Sequence, residues 1–239
     1  MSAQGRAGAL VPAAGQGLRL GPGTAKALRD IGGAPMLVHA VHALAASRAV
    51  QVIVVAAPAD QVEQVRSLVA QVDGATDITV VCGGDNRQES VARALIALPE
   101  DVDVVLVHDA ARPLVPPEVV AAVVAAVRGG AQAVVPGIAV ADTIKEVDGN
   151  GVVTKTLDRS ALRAIQTPQG FQRSVLQGAH AAVEPGDQSA TDDAGLVEQG
   201  GIAIQVIPGH EEAFKITRPI DLILAEAILA RRRTTSARG

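Results

Sequence analysis

Residues 10–26 read LVPAAGQGLRLGPGTAK, a short apolar run followed by a loop with four glycines that ends on a lysine. Such a loop lets backbone N–H groups approach a phosphate, because glycine has no Cβ and tolerates positive φ. Two standard phosphate-binding patterns fail here. The dinucleotide pattern GxGxxG would need its third glycine at Leu20, and the P-loop would need Gly before Lys26 and Ser or Thr after it. The stretch therefore indicates either a phosphate loop of another kind or a flexible turn.

Outside this stretch, apolar runs of strand length alternate with segments of helical period. The predicted strands are Ala9–Ala13, Gln51–Ala57, Ile78–Cys82, Val102–Val107 and Ala131–Pro136. The helices predicted between them are Pro35–Ser47, Asp60–Val72, Arg87–Leu98 and Pro116–Val127. Near-continuous Val/Ile strands separated by helices predict an α/β fold with a doubly wound, mostly parallel sheet covered on both faces.

A different pattern occupies residues 137–165. Asp-Gly-Asn-Gly at 148–151 lies between two β-rich segments, which predicts a hairpin. We call residues 137–165 the β-arm. The α/β pattern then resumes in four elements, Gln172–Val183, Asp192–Gln199, Ala203–Ile207 and Pro219–Ala230. We expect one domain over 1–239 that includes the arm and ends in a frayed, solvated basic tail at 231–239.

Composition limits the class of protein. The apolar runs are shorter than the ~20 residues that a membrane span needs, and Pro12 interrupts any signal-peptide core. A net charge of −4 argues against a general nucleic-acid surface. The single cysteine, Cys82, cannot form an internal disulfide, which suits a reducing compartment. We expect a cytoplasmic protein that binds neither membrane nor nucleic acid.

The ends of the predicted strands carry the candidate site. In an open α/β sheet, ligands bind outside the carboxyl ends of the strands. Three of these loops contain PAAGQGLRLGPGTAK, GGDNRQESV and HDAARP, and ADTIK enters the arm. Each combines Arg, Lys or Asp with Gly, Ala or Ser. The five histidines have no metal-ligand spacing that the rest of the chain completes, so we interpret them as structural or exposed.

Seven motifs in order along the chain resemble the 2-C-methyl-D-erythritol 4-phosphate cytidylyltransferases. They are PAAG from Pro12 with the later Arg19 and Lys26, GGDNRQESV at 83–91, VHDAARP at 107–113, DT.K at 142–145, the R.AL…QTPQ.F series at 159–171, TDDA at 191–194 and FKIT.P.DL at 214–222. The family usually has proline before the loop lysine, where this chain has Ala25. The resemblance implies a Rossmann-like nucleotidyltransferase fold with an extended β-arm.

The resemblance also implies an activity. The family transfers CMP from CTP to 2-C-methyl-D-erythritol 4-phosphate and releases pyrophosphate, with Mg²⁺ or another divalent cation held mainly by the CTP phosphates. Its homodimers exchange the arm, so arm residues would serve the partner's site. Two alternatives stay open: a cytidylyltransferase for another polyol phosphate such as ribitol 5-phosphate, and a non-catalytic CTP-binding protein.

Site residues follow from the same resemblance. Arg19 and Lys26 would be catalytic, because they supply positive charge to the transition state. The residues implied to bind the nucleotide are Pro12, Ala13, Ala14, Gly15, Gly17, Gly83, Asp85, Arg87 and Ser90. The residues implied to position the second substrate are Asp109, Arg112, Thr143, Arg159 and Lys215. The alternative interpretations are a polar helix start for the segment at 83–90 and a surface ion pair for Arg112.

Overall fold

A computed structural model describes residues 5–15, 25–72, 76–183 and 190–236. In these residues the strands are β1 (Arg6–Pro12), β2 (Asp30–Ile31), β3 (Ala34–Pro35), β4 (Val52–Ala57), β5 (Asp77–Cys82), β6 (Val102–Val107), β7 (Ala133–Ala139), β8 (Lys145–Val147), β9 (Val153–Thr156), β10 (Arg163–Ile165), β11 (Gln169–Gln172) and β12 (Ile204–Pro208). The helices are α1 (Met36–Ala46), α2 (Val62–Val69), α3 (Arg87–Ile96), α4 (Pro117–Arg128), α5 (Arg173–Ala181), α6 (Asp193–Gln199) and α7 (Pro219–Ser236).

The central sheet has eight strands in the order β10-β7-β11-β6-β1-β4-β5, with β12 also paired to β7. Strand β1 is parallel to β4 and β6, β4 is parallel to β5, and β12 is parallel to β7. The chain runs from β1 to β4 and β5 on one side and then to β6 on the other side of β1. A reversal of this kind opens a crevice at the carboxyl ends of the strands.

Both faces of the sheet are buried. In β1, Ala7, Ala9 and Val11 belong to a core cluster that includes residues of α1, α2 and α4. Leu10 points the other way, into a cluster that includes residues of α3, α5 and α6. Every residue of β4 is buried, as expected for an inner strand covered on both sides. The predicted doubly wound, mostly parallel sheet is confirmed.

Four short strands were not predicted: β2, β3, β10 and β11. Strand β11 inserts between β6 and β7 and is antiparallel to both. Its sequence, QGFQ, has little β-propensity, and Gly170 is there for packing, since a Cβ at this position would lie 2.4 Å from Val123 Cγ1 of α4. Pairing with β6 and β7 makes this segment a strand, and sequence periodicity does not reveal such pairing.

The β-arm contains the predicted hairpin. Strands β8 and β9 pair antiparallel, with Lys145 opposite Thr156 and Val147 opposite Val153. Asp148 Oδ1 closes the turn by accepting the N–H groups of Asn150 and Val152, each at 2.9 Å. All residues of β8 and β9 are exposed. A ribbon of two strands buries too little apolar surface to be stable alone in water.

The prediction of a frayed tail is wrong for residues 231–236, because α7 continues to Ser236. Arg231 and Arg232 form ion pairs with Glu212, and Arg232 Nη2 also donates to Leu114 O at 2.8 Å. Cations at a helix C-terminus also interact favourably with the helix dipole. Residues 237–239 lie outside the described residues. Across the described ranges, no helix combines the length and apolar character that crossing a bilayer requires.

Candidate active site

A pocket of about 250 Å³ lies at the carboxyl ends of β1, β5 and β6. We call it the strand-end pocket. It is lined by Pro12, Ala13, Ala14, Gly15, Lys26, Ala27, Gly84, Asp85, Asn86, Arg87, Ser90, Asp109, Ala110, Ala111 and Lys215. The structure thus brings together most of the residues that the sequence motifs pointed to, from five separate segments of the chain.

One wall follows β1. The Ala13 N–H donates to Ala56 O at 2.8 Å, which continues the pairing with β4 past the end of the strand. Across the pocket, Lys26 begins a short 3-10 turn preceded by Ala25. Ala25 has φ −46°, near the range that a proline ring would impose. The backbone before Lys26 therefore has a proline-like φ without the ring. Arg19 and Gly17 lie outside the described residues, so their predicted roles stay predictions.

The opposite wall is the start of α3. Asn86 caps the helix, since its Oδ1 accepts the Glu89 N–H at 2.8 Å. Glu89 Oε2 in turn accepts the Asp85 N–H at 3.0 Å. Ser90 is buried, and its hydroxyl accepts the Gly84 N–H at 3.0 Å while donating to Asn86 O at 2.8 Å. These reciprocal bonds fix the backbone that faces the pocket before any ligand arrives.

Gly83 stands behind this wall rather than on it. A Cβ at Gly83 would lie 2.8 Å from Ala14 Cβ and 3.0 Å from Ser90 Oγ. The glycine therefore lets the β1 loop and α3 approach each other. Asn86 and Gly84 line the pocket although the sequence interpretation did not single them out. The spacing of Asn86 and Glu89 resembles a capping box, a signal that could have identified the first of them.

Asp109 is the buried carboxylate of the pocket. Its Oδ2 lies 2.7 Å from Lys215 Nζ, and its Oδ1 accepts from Arg87 Nε at 3.3 Å. The Asp109 side chain is 11% exposed. Burial alone would raise the pKa of this carboxyl, but the charges of Arg87 and Lys215 hold the pKa well below its usual value. Asp109 is therefore ionised and links two cations from different parts of the chain.

Arg112 lies beside the pocket and does not line it. Its Nη1 donates to Ala213 O at 2.8 Å, and its Nη2 donates to Ile165 O at 3.2 Å. The Ile216 N–H donates to Ala111 O at 2.8 Å. Arg112 thus ties the segment that carries Lys215 to the point where the arm rejoins the sheet.

The two arm residues of the predicted site do not reach this pocket. Thr143 and Arg159 are both exposed, and Arg159 Nη1 donates to Ala141 O at 2.8 Å within the arm. Neither residue lines the strand-end pocket of its own chain. The structure of one chain therefore separates the predicted site into a pocket at the strand ends and two side chains on the arm.

The strand-end pocket combines close backbone approach, two cations beside a carboxylate, and a lysine on a short turn. This chemistry fits a phosphate-bearing ligand at a helix N-terminus. Among the residues described, no group of three or more His, Cys, Asp or Glu could hold a metal ion. With the sheet order reversed at β1, these features define an α/β nucleotidyltransferase-like protein.

Comparison with known proteins assigns the chain to one family within this class. The chain belongs to the 2-C-methyl-D-erythritol 4-phosphate cytidylyltransferase family, whose model matches residues 8–231. A relative of that name from Streptomyces avermitilis is 56% identical over 236 residues, covering 95% of this chain and 93% of the relative.

Two solved structures extend the similarity to the fold. The 4-diphosphocytidyl-2C-methyl-D-erythritol synthase of Anaerococcus prevotii superposes with a TM-score of 0.83 at 26% identity, covering 95% of this chain and 100% of the other. The 2-C-methyl-D-erythritol 4-phosphate cytidylyltransferase of Thermus thermophilus has a TM-score of 0.73 at 35% identity, with 93% and 98% covered.

Proposed function

We propose that this protein transfers CMP from CTP to 2-C-methyl-D-erythritol 4-phosphate in isoprenoid precursor biosynthesis. The products are 4-(cytidine 5'-diphospho)-2-C-methyl-D-erythritol and pyrophosphate. The observation that carries the proposal is the family match over residues 8–231. The meeting of Lys26, Arg87, Asp109 and Lys215 in one pocket at the strand ends supports it. A CTP substrate and a single cysteine fit an enzyme of the cytoplasm.

The chemistry needs positioned charge rather than a protein nucleophile. A phosphate oxygen of the acceptor attacks the α-phosphorus of CTP in line, and the bond from that phosphorus to the bridging oxygen of pyrophosphate breaks. Negative charge grows on the equatorial and leaving oxygens. Lys26 in the pocket and Arg19 in the same loop would stabilise that charge, while the Ala13–Gly15 backbone admits the nucleotide.

The residues of the pocket fit a divalent cation carried by the nucleotide. Asp109 is the buried carboxylate of the pocket, and it already pairs with Lys215 and Arg87. It would therefore bind such an ion as a single protein ligand and not as one member of a set of protein ligands. When bound, Mg²⁺ neutralises phosphate charge and keeps several of its own waters. Asp109 would hold the ion near the reacting phosphates, and Lys215 would turn toward the acceptor phosphate.

The acceptor half of the site is proposed to need a second copy of the chain. Thr143 and Arg159 carry the polar groups expected for the acceptor phosphate, yet both are exposed on the arm. Val147 and Val153 face each other across the hairpin and are 54% and 52% exposed. Packing this ribbon against a partner would bury these valines, and two-fold symmetry would complete both sites in the same way. We therefore propose a homodimer with exchanged arms.

Pyrophosphate release from each nucleoside triphosphate, paired with each of several polyol phosphates, tests the proposed function. We expect turnover with CTP and 2-C-methyl-D-erythritol 4-phosphate. UTP should be poor, because each polar group left unpaired in a pocket costs ~1–3 kcal/mol. Faster turnover of ribitol 5-phosphate would change the acceptor, and CTP binding without pyrophosphate release from any pair would indicate a binding protein instead.

A further inference from the structure

A line of charged side chains continues from the strand-end pocket into the protein. Arg87, on the pocket wall, donates from Nη1 to Asp193 Oδ2 at 2.6 Å, in addition to its bond to Asp109. The other oxygen of Asp193, Oδ1, lies 3.1 Å from His180 Nε2. Two carboxylates therefore hold the Arg87 guanidinium from two sides, and a histidine holds the deeper carboxylate.

Asp193 is almost completely buried, so its charge needs partners within the protein. Its side chain is 1% exposed and that of His180 is 7% exposed. Burial alone would raise the pKa of Asp193, but the hydrogen bond from His180 and the charge of Arg87 hold it below the usual value. A buried charge without partners would be costly, so the carboxylate is fixed opposite the guanidinium.

The neighbouring aspartate has a different task. Asp192 Oδ1 caps α6 by accepting the Gly195 N–H at 2.8 Å. Its Oδ2 accepts from Gln169 Nε2 at 2.6 Å, and Gln169 Oε1 accepts the Ala194 N–H at 3.1 Å. Asp193 forms its side-chain bonds with Arg87 and His180 instead. In the TDDA motif, Asp192 therefore caps α6, and Asp193 contacts Arg87 of the pocket wall.

We propose that Asp193, held by His180, is a positioning residue for nucleotide binding that acts through Arg87. The inference rests on the proposed function, which places CTP in the strand-end pocket. A long Arg side chain loses rotamer entropy when a ligand orders it. The bonds from Asp109 and Asp193 order Arg87 before the ligand binds. Ligand binding therefore loses less rotamer entropy at this side chain. Without Asp193, Arg87 would pair with Asp109 alone and compete with Lys215 for that carboxylate.

Asp193→Asn tests the idea because it keeps the shape of the side chain and removes its charge. Calorimetric titration with CTP and Mg²⁺ should show a Kd raised about tenfold, as expected for loss of a charge-assisted bond. In steady-state assays the KM for CTP should rise by a similar factor. The kcat and the KM for the acceptor should change by less than about threefold. The matched control, Asp192→Asn, should lower thermal stability and leave the Kd for CTP unchanged.

A double-variant cycle distinguishes positioning from a general structural effect. If Asp193 acts through Arg87, adding Asp193→Asn to Arg87→Ala should raise the Kd for CTP no further. An equal rise in both backgrounds would overturn the inference. Should Asp193→Asn fail to fold, His180→Gln serves in the same cycle, with an expected rise of about threefold in the wild type and none beside Arg87→Ala.

The outcome also separates this inference from the proposed function. A wild type that releases no pyrophosphate with CTP and the expected acceptor would overturn the function. A wild type that turns over normally, together with folded Asp193→Asn and His180→Gln proteins that bind CTP as tightly as it does, would overturn only the positioning role.

Discussion

The strand-end pocket and the β-arm differ in what surrounds their charged side chains. In the pocket, Asp109 is 11% exposed and bonded to Arg87 and Lys215, and a helix cap fixes the start of α3. In the arm, all residues of β8 and β9 are exposed, and Arg159 bonds only within the arm among the contacts described. One region is organised by its own chain, and the other presents its side chains outward.

The difference in burial between the pocket and the arm indicates different functional roles. Groups that stabilise a transition state gain most when they are fixed in advance and shielded from water. The pocket meets that condition in a single chain, whereas the arm would meet it only after packing against another surface. We therefore expect changes in the pocket to affect chemistry and folding, and changes in the arm to affect assembly and acceptor binding.

The largest expected effect is on turnover, from Lys26→Ala. Loss of one preorganised charge at the reacting phosphate typically lowers kcat by about 10²–10³-fold, while CTP binding weakens much less. Steady-state kinetics and CTP titration on the same preparation would separate the two. Arg66→Ala, which removes an exposed cation of α2 outside both regions, is the control and should keep its kcat. Near wild-type kcat for Lys26→Ala would show that Lys26 does not stabilise the transition state.

The second largest effect is expected on the pH dependence of stability, through the buried side chain of His108. This residue is buried, its Nδ1 lies 3.1 Å from Thr167 Oγ1, and its Nε2 lies 3.2 Å from Arg112 O. Thr167 Oγ1 also accepts the Asp109 N–H at 3.0 Å. Since Arg112 O can only accept, we assign the Nε2–H tautomer, with the Thr167 hydroxyl donating to Nδ1. Burial lowers the pKa of His108 to about 4.

Protonation of His108 at low pH should destabilise the folded protein. The unfolded chain takes up a proton on His108 as the pH falls through about 6.5, but the folded protein does so only near pH 4. The free energy of unfolding should therefore fall by about 3 kcal/mol from this residue as the pH drops across that range. Urea unfolding between pH 7 and pH 5 should show the slope in the wild type and lose much of it in His108→Gln. The exposed-site control, His42→Gln, should keep the slope, and an unchanged slope in His108→Gln would contradict the assignment.

A smaller effect is expected from the arm, through assembly. Val147→Asp places a charge on an exposed position of the hairpin, which should weaken a dimer and lower activity about tenfold at low protein concentration. Sedimentation and dilution assays would measure both. Ile96→Asp is the matched control, because Ile96 is 83% exposed at the end of α3. Unchanged assembly and activity in Val147→Asp would show that this face of the arm contacts nothing important.

Sequence reasoning located the two regions for different reasons. Buried parallel strands such as Val52–Ala57 are continuous apolar runs of strand length, so the sheet could be predicted from their alternation with segments of helical period. The arm was visible through its turn residues at 148–151. Strand β11 was missed, because Gly170 and its neighbours become a strand through pairing with β6 and β7, which the short segment QGFQ does not signal.

The candidate site was predictable in its membership and not in its contacts. The rule that ligands bind at the carboxyl ends of strands pointed to the loops that carry Lys26 and Asp109. The bonds from Asp109 to Lys215 and from Arg87 to Asp193 join segments far apart in sequence, and only the fold brings them together. The C-terminal part of α7 could not be predicted for the same reason. Its residues Arg231 and Arg232 pair with Glu212, which lies in another element.

The central claim is that each active site combines the pocket of one chain with the arm of another, and mixing inactive variants tests it most directly. Lys26→Ala damages the pocket and Arg159→Ala damages the arm. In a mixed dimer, the chain with intact Lys26 would receive the intact Arg159 of its partner. Random exchange of equal amounts makes half the dimers mixed, each with one good site of two, so activity should return to about a quarter of the wild-type value.

A control mixture of Lys26→Ala with Arg19→Ala, both in the pocket, should stay inactive under the same conditions. The measurement is the rate of pyrophosphate release after subunit exchange has been shown to be complete by mass spectrometry of differently tagged chains. The account predicts recovery to about a quarter of wild-type activity in the pocket-and-arm mixture alone. Complete exchange with no recovery in that mixture would contradict the shared site.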